Sequence, residues 1–171
     1  MSAMRSSTLA SLSARWIAAQ GRRLSTESRS VASVKGGPAV VQEGQKFEME
    51  RCFTTQDVAS YVSLCGDTNP IHTCDSAAQS AGFQGRVVQG MLYAGLFPAI
   101  IGSHFDGAVY VSQTLNFRSP VLVGDALCAE VEVTAVKKLR HHYRVTFATH
   151  CYKKGDPAVL LGGEAVALLP A

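Results

Sequence analysis

Apolar and polar positions alternate from Lys46 to Phe53, the period of a half-buried strand. The period then lengthens. Thr54-Thr55-Gln56-Asp57 opens a helix, with Thr54 or Thr55 in the capping position, and the run reaches about Cys65 before Gly66 ends it. A short helix is expected near Cys74 to Ala81, broken by Gly82 and Gly85. Val88 to Ile101 is apolar on almost every side and contains Gly90, Gly95 and Pro98. It is too short to cross a bilayer, and a helix apolar all round belongs inside a core. Four strand-like runs follow, Val109 to Phe117, Leu127 to Lys137, His142 to Lys153 and Val159 to Leu168. Gly124-Asp125, Lys138 to Arg140 and Gly155-Asp156-Pro157 supply the turns. One buried helix followed by long antiparallel strands predicts an α+β domain in which a sheet wraps a helix. No internal repeat is visible.

Between the first two helices lies the stretch Gly66-Asp67-Thr68-Asn69-Pro70-Ile71-His72. Pro70 restricts the residue before it to extended backbone, so Asp67 and His72 do not share a regular helix. A turn can point both side chains at one spot, and a carboxylate and an imidazole facing one small volume can move protons on and off a substrate. The spacing is equally served by a turn in which Asp67 caps the next helix and His72 is a satisfied surface residue.

Composition divides the chain. The 171 residues suit one domain plus a tail, and 47% hydrophobic residues give it material for a core. The net charge of +3 hides an asymmetry: residues 1–37 hold six Lys/Arg and one acid, Glu27, whereas the remainder holds ten Lys/Arg and twelve acids. Residues 1–37 are rich in Ser and Ala, carry Arg5, Arg15, Arg22 and Arg23, and can place Leu9, Leu12, Trp16 and Leu24 on one helical face. That is the composition of an organellar transit peptide, mitochondrial rather than plastid, with Ser25 to Pro38 as a linker; a bare polar tail is the alternative. The expected division is therefore a transit segment and linker at 1–37 and a folded domain at 38–171. The folded part has no basic patch interleaved with aromatics, which argues against nucleic acid as the main partner.

Five cysteines, Cys52, Cys65, Cys74, Cys128 and Cys151, form an odd set without close-paired spacing, which reads as free thiols in a reducing compartment. Cys65 and Cys74 flank the Asp67–His72 turn, but small apolar packing suits them better than a redox or metal pair. His141-His142 and His150-Cys151 sit in strand-like sequence, where neighbours face opposite ways. No metal site or cofactor is expected.

Tyr61, Gly66, Asp67, Asn69, Pro70, Ile71 and His72, followed by the small residues Ala77, Ala78, Ala81, Gly82 and then Phe83, resemble the hydratase-2 motif of the MaoC-like dehydratases. The likeness continues through Gly85 to Leu92 and Tyr110 to Val121, and covers roughly residues 45 to 169. It implies a single hot-dog fold, paired into a homodimer with a continuous sheet. It further implies dehydration of a (3R)-3-hydroxyacyl thioester, with Asp67 and His72 as the catalytic pair holding a water between them. The expected setting is mitochondrial fatty acid synthesis, with acyl carrier protein delivering the substrate in the matrix.

That chemistry removes a proton from C2, releases the C3 hydroxyl as water and loads charge on the thioester oxygen. The backbone N–H of Gly90, opening the buried helix, is the candidate donor to that oxygen, since a helix start favours negative charge and glycine permits close approach. Tight packing explains a glycine there equally well. Asn69 is read as a supporting residue that orients the turn or His72. Two positions depart from the family pattern. Gln89 stands where a His usually precedes the glycine, and it can donate a hydrogen bond but cannot titrate. Pro98 stands where some relatives carry a Ser. Phe83, Tyr93, Leu96 and Phe97 are candidates to line an acyl tunnel, with plain core as the alternative. Arg86 and Arg118 are candidates to meet a phosphopantetheine phosphate, or are solvated.

Three other activities remain open: an (R)-specific enoyl-CoA hydratase running the same chemistry on CoA esters, a non-catalytic acyl-binding hot-dog module, and a thioesterase. A peroxisomal hydratase is expected to end in a Ser-Lys-Leu-like address, whereas this chain ends Leu168-Leu169-Pro170-Ala171.

Overall fold

The computed structural model describes residues 41–171. The transit segment and linker expected at 1–37 lie outside the described residues. Six strands form one antiparallel sheet: β1 (Lys46–Cys52), β2 (Val109–Gln113), β3 (Asn116–Phe117), β4 (Ala126–Lys138), β5 (His142–Lys153) and β6 (Val159–Pro170). Their order is β1-β4-β5-β6-β2, with β3 also paired to β6. The helices are α1 (Thr55–Cys65), α2 (Asp75–Ser80), α3 (Gly90–Ala94) and α4 (Leu96–His104), and a 3₁₀ turn covers Pro70–His72.

The strands obey the two-residue period. Leu127, Ala129, Val131 and Val133 of β4, Val145, Phe147 and Cys151 of β5, and Leu161, Ala165, Ala167 and Leu169 of β6 share one buried face. Against it lie Phe97, Ile100 and Ile101 of α4, all fully buried, and α4 packs on β4 and β1. Burying each such side chain is worth about 1.5–3 kcal/mol, which makes this the main source of stability. The register slips by one residue at Val133/Ala135, at Tyr110/Ser112 and at Cys151/Tyr152. Each such bulge bends its strand, and a bent sheet can curl around a helix. The result is the hot-dog fold. No helix among the described residues is long and apolar enough to cross a membrane.

Two expected elements are divided. The central helix is two pieces, α3 and α4, separated at Gly95. Pro98 has no N–H to offer the carbonyl of Ala94, so the hydrogen-bond ladder is interrupted there. As the third residue of α4, Pro98 sits where an N–H has no partner within its own helix, and α4 accommodates it. The run Val109 to Phe117 is likewise two strands. At Thr114 the strand turns its carbonyl toward β6, and the Thr114 hydroxyl accepts from the Glu164 N–H at 2.9 Å in place of a main-chain oxygen. A β-carbon at Gly163 would lie 1.8 Å from the Thr114 oxygen, so only glycine fits. Beyond this irregularity the chain stays paired to the same edge of β6, with Asn116 opposite Gly162 and Phe117 opposite Leu161. The Arg118 N–H then bonds Leu160 O at 2.8 Å, which carries residues 117–121 back over the start of α3.

Candidate active site

The site is assembled from the end of α1. Thr54 and Asp57 close a reciprocal capping box: the Asp57 N–H donates to Thr54 Oγ1 at 3.2 Å, and the Thr54 N–H donates to Asp57 Oδ2 at 2.8 Å. The Thr54 N–H and hydroxyl, both donating to Asp57 Oδ2, hold the Asp57 carboxyl below its usual range. At the other end Gly66 adopts φ +76° and sends its N–H to Val62 O at 2.9 Å. This left-handed cap, natural to glycine, stops the helix and throws the chain toward Asp67.

The next six residues are held by their own side chains. Asp67 Oδ1 accepts from the Asn69 N–H at 3.2 Å, and Asn69 Oδ1 accepts from the Ile71 N–H at 3.3 Å. Asn69 is thus the cap of the 3₁₀ turn, with Pro70 preset in its first position. The His72 N–H returns to Asn69 O at 3.2 Å. Asn69 orients the turn and, through it, His72.

His72 is buried, and its side chain is only 9% exposed, so the surface alternative does not hold. Nor does Asp67 cap α2, whose N-cap is Cys74. His72 Nε2 lies 3.4 Å from Asp67 Oδ2, while Nδ1 lies 2.7 Å from Val87 O. A carbonyl only accepts, so Nδ1 carries the proton, and in the neutral ring Nε2 presents a lone pair toward Asp67. The Asp67 carboxylate is 43% exposed and the imidazole nearly sealed, so the pair spans the boundary between solvent and interior. Val87 is itself fixed: its N–H bonds Ile71 O at 3.1 Å, and it bridges Leu122.

Two cavities adjoin the pair. One, about 360 Å³, is lined by His72, Val88, Gly90, Tyr93, Phe117 and Arg118 among others. The second, about 420 Å³, is lined by Tyr61, Cys65, Asp67, Gln89, Gly90 and Phe117 among others. Gly90 opens α3, where an N–H has no carbonyl four residues back within the helix. Burial pushes the Tyr93 phenol up to about 12, so it stays protonated. Desolvation also raises Tyr61, with Cys65 and Asp67 adding to it. Gln89 is buried, and neither its Nε2 nor its Oε1 has a hydrogen-bond partner among the described residues.

Of the four residues proposed to line an acyl tunnel, Tyr93 lines the His72 cavity. Leu96 and Phe97 are buried in the core cluster, and Phe83 is half-buried away from both cavities. Arg86 is bound to Asp75 at 3.1 Å, whereas exposed Arg118 lines the His72 cavity. The five cysteines are free thiols, Cys52, Cys65 and Cys74 exposed and Cys128 and Cys151 buried. Sequence reading missed Val87, which acts only through its carbonyl, and Phe117, which reaches the site through strand pairing. Both lie in stretches that resemble the family motif, which is the sequence signal that could have singled them out.

A six-stranded antiparallel sheet curled around a central helix, with an acid and an imidazole brought together beside it, defines a hot-dog protein. The MaoC-like domain pattern matches residues 38–152, and the chain belongs to the MaoC-like family. It is 41% identical to the 3-hydroxyacyl-[acyl-carrier-protein] dehydratase, mitochondrial, of Arabidopsis thaliana, over 83% of this chain and 85% of that one. It is 39% identical to the 3-hydroxyacyl-[acyl-carrier-protein] dehydratase FERN, mitochondrial, of Solanum lycopersicum, over 88% and 90%. Among solved structures, the (R)-hydratase from A. caviae involved in PHA biosynthesis superposes with a TM-score of 0.71 at 36% identity, covering 77% of this chain and 98% of that one.

Proposed function

We propose that this chain is a (3R)-3-hydroxyacyl-[acyl-carrier-protein] dehydratase of mitochondrial fatty acid synthesis. The observation that carries the reading is His72 held at Nδ1 by Val87 O at 2.7 Å, with its Nε2 3.4 Å from Asp67 Oδ2. Dehydration breaks the C2–H and C3–O bonds and forms the C2–C3 double bond, and the proton lost from C2 leaves in the water. No net proton enters or departs, so a carboxylate and a neutral imidazole that exchange one proton begin and end each turnover in the same state. The Nε2 lone pair and Asp67 Oδ2 are close enough together to bind one water or hydroxyl between them.

Charge developing on the thioester oxygen is met by the Gly90 N–H, aided by the dipole of the helix start. Gln89 sits beside it with an amide committed to no protein partner, and supplies a further hydrogen bond there when a substrate group reaches it. Arg118, at the rim of the His72 cavity, suits the phosphate of a phosphopantetheine arm.

The relatives named mitochondrial and the Arg-rich, acid-poor residues 1–37 support a cleaved transit peptide and a matrix location. A homodimer is supported by the outer edge of β2, where Val109 is 56% and Val111 52% exposed; an apolar open edge invites strand pairing.

The likeness to the (R)-hydratase favours one second reading, hydration of enoyl groups on CoA. The two separate on carrier. The same (3R)-3-hydroxybutyryl group is offered on acyl carrier protein and on CoA, and kcat/KM is compared. The proposal expects at least about tenfold preference for the carrier protein, since electrostatic contacts with a protein partner raise the encounter rate; a preference for CoA contradicts it.

A further inference from the structure

Gly90 and Phe117 are the two residues shared by both cavities. Their contact is tight. A β-carbon built on Gly90 would stand 2.8 Å from Phe117 Cε1, 3.1 Å from Cζ and 3.3 Å from Cδ1. No atom fits between the ring and the backbone of Gly90. The ring is also braced from the interior, where Tyr93 meets it edge-on with centroids 5.9 Å apart at 89°. Its backbone is pinned to β6 through the Phe117–Leu161 pairing and the 2.8 Å bond from Arg118 N to Leu160 O. The exposed Phe117 is therefore a fixed wall, 48% accessible, at the point where the cavity holding Asp67 meets the cavity holding His72.

Placed on this wall, the reacting atoms have little freedom, given the reading of the site as a 3-hydroxyacyl thioester dehydratase on which this step rests. The thioester oxygen at Gly90 and the C3 oxygen at the Asp67–His72 pair fix C2 between them. The C2 hydrogen that is removed must face the pair. The remaining C2 substituent faces away from it, and we place it against Phe117, which packs on Gly90 and lines both cavities.

We infer that Phe117 is a specificity-determining residue that admits thioesters unbranched at C2 and excludes those carrying a 2-methyl group. A hydrogen passes beside the ring, whereas a methyl needs the ring to leave both Gly90 and Tyr93. One methyl group against a fixed apolar wall is worth about 10- to 200-fold in kcat/KM.

The test compares hydration of crotonyl-CoA and 2-methylcrotonyl-CoA by the full-length wild type, Phe117→Leu and Phe117→Ala, with the fold of each variant checked by urea unfolding. Wild type is expected to favour crotonyl-CoA by at least about 100-fold, beyond the intrinsic difference of the two substrates measured with hydroxide. Phe117→Ala is expected to narrow that ratio by about tenfold or more, through kcat/KM for the branched substrate, and Phe117→Leu by less. Gly90→Ala, which drives a methyl into the ring, is expected to depress both substrates, and Phe117→Ala in the same chain to relieve part of that loss. A branched-to-unbranched ratio unchanged in folded Phe117→Ala overturns the inference. Absence of wild-type turnover on the crotonyl group carried either by CoA or by acyl carrier protein instead overturns the reading of the site itself.

Discussion

His72 Nδ1 and the main-chain oxygen of Val87 are 2.7 Å apart, across fifteen residues of sequence. Through that bond a carbonyl decides which nitrogen of the imidazole is free to work. The bond needs no particular side chain at position 87, only a backbone held still by its bridge to Leu122. The consequence is measurable. In ¹⁵N NMR of the protein labelled at histidine, His72 at high pH is expected to show a protonated Nδ1 and an unprotonated Nε2. The opposite tautomer would remove the base from the site.

Gly163 is a second place where backbone alone governs the site. Because Thr114 O would lie 1.8 Å from any β-carbon there, Gly163→Ala must displace the β2–β3 segment or β6. A loss of stability above about 3 kcal/mol in urea unfolding is expected, well beyond the usual effect of a small substitution. Ordinary tolerance of the alanine would show that Thr114 O does not press on Gly163.

Gln89 should reverse that sign. Both amide atoms are buried without a partner, and an unmet buried polar group costs about 1–3 kcal/mol. Gln89→Met keeps the shape and removes the debt, so the free protein is expected to melt a few degrees higher. Turnover should fall at the same time if the amide serves the substrate. An unchanged or lowered melting temperature would show that the amide is already satisfied in the free protein.

The phenol of Tyr93 gives a pH signature. Burial raises it from 10.0 to about 12, so the folded form keeps a proton that the unfolded chain releases. The stability it contributes is complete below pH 10 and is lost as pH climbs toward 12. Tyr93→Phe is expected to flatten part of the alkaline decline in melting temperature. Tyr110 and Cys151, also pushed up to about 12 by burial, supply part of the rest. An identical decline in the variant would show that Tyr93 does not titrate differently on folding.

Much of this was legible in the chain. The capping box at Thr54, the stop at Gly66 and the turn built by Asn69 and Pro70 are local devices, and local devices are written in consecutive residues. The pairing of Asp67 with His72 was visible for the same reason. What escaped depends on partners distant in sequence. Leu96 and Phe97 have the right size and spacing for an acyl tunnel, and their burial in the core cluster depends on residues far away in sequence. Pro98 was recognised as a departure in sequence, but its effect on the ladder divides the central helix in a way that hydrophobicity does not record. Phe117 enters the site because the chain stays on the edge of β6 past Gly163, a pairing between residues far apart in sequence.

The central claim is that Asp67 and His72 together perform the proton transfer of a hydro-lyase. The measurement that tests it most directly is hydration of crotonyl-CoA by the full-length protein, Asp67→Asn and His72→Ala, with the configuration of the product determined. The account predicts (R)-3-hydroxybutyryl-CoA from the wild type and a loss of about 10²- to 10⁴-fold in kcat in each variant, with the fold retained. An (S) product, or a folded variant that keeps wild-type turnover, would contradict it.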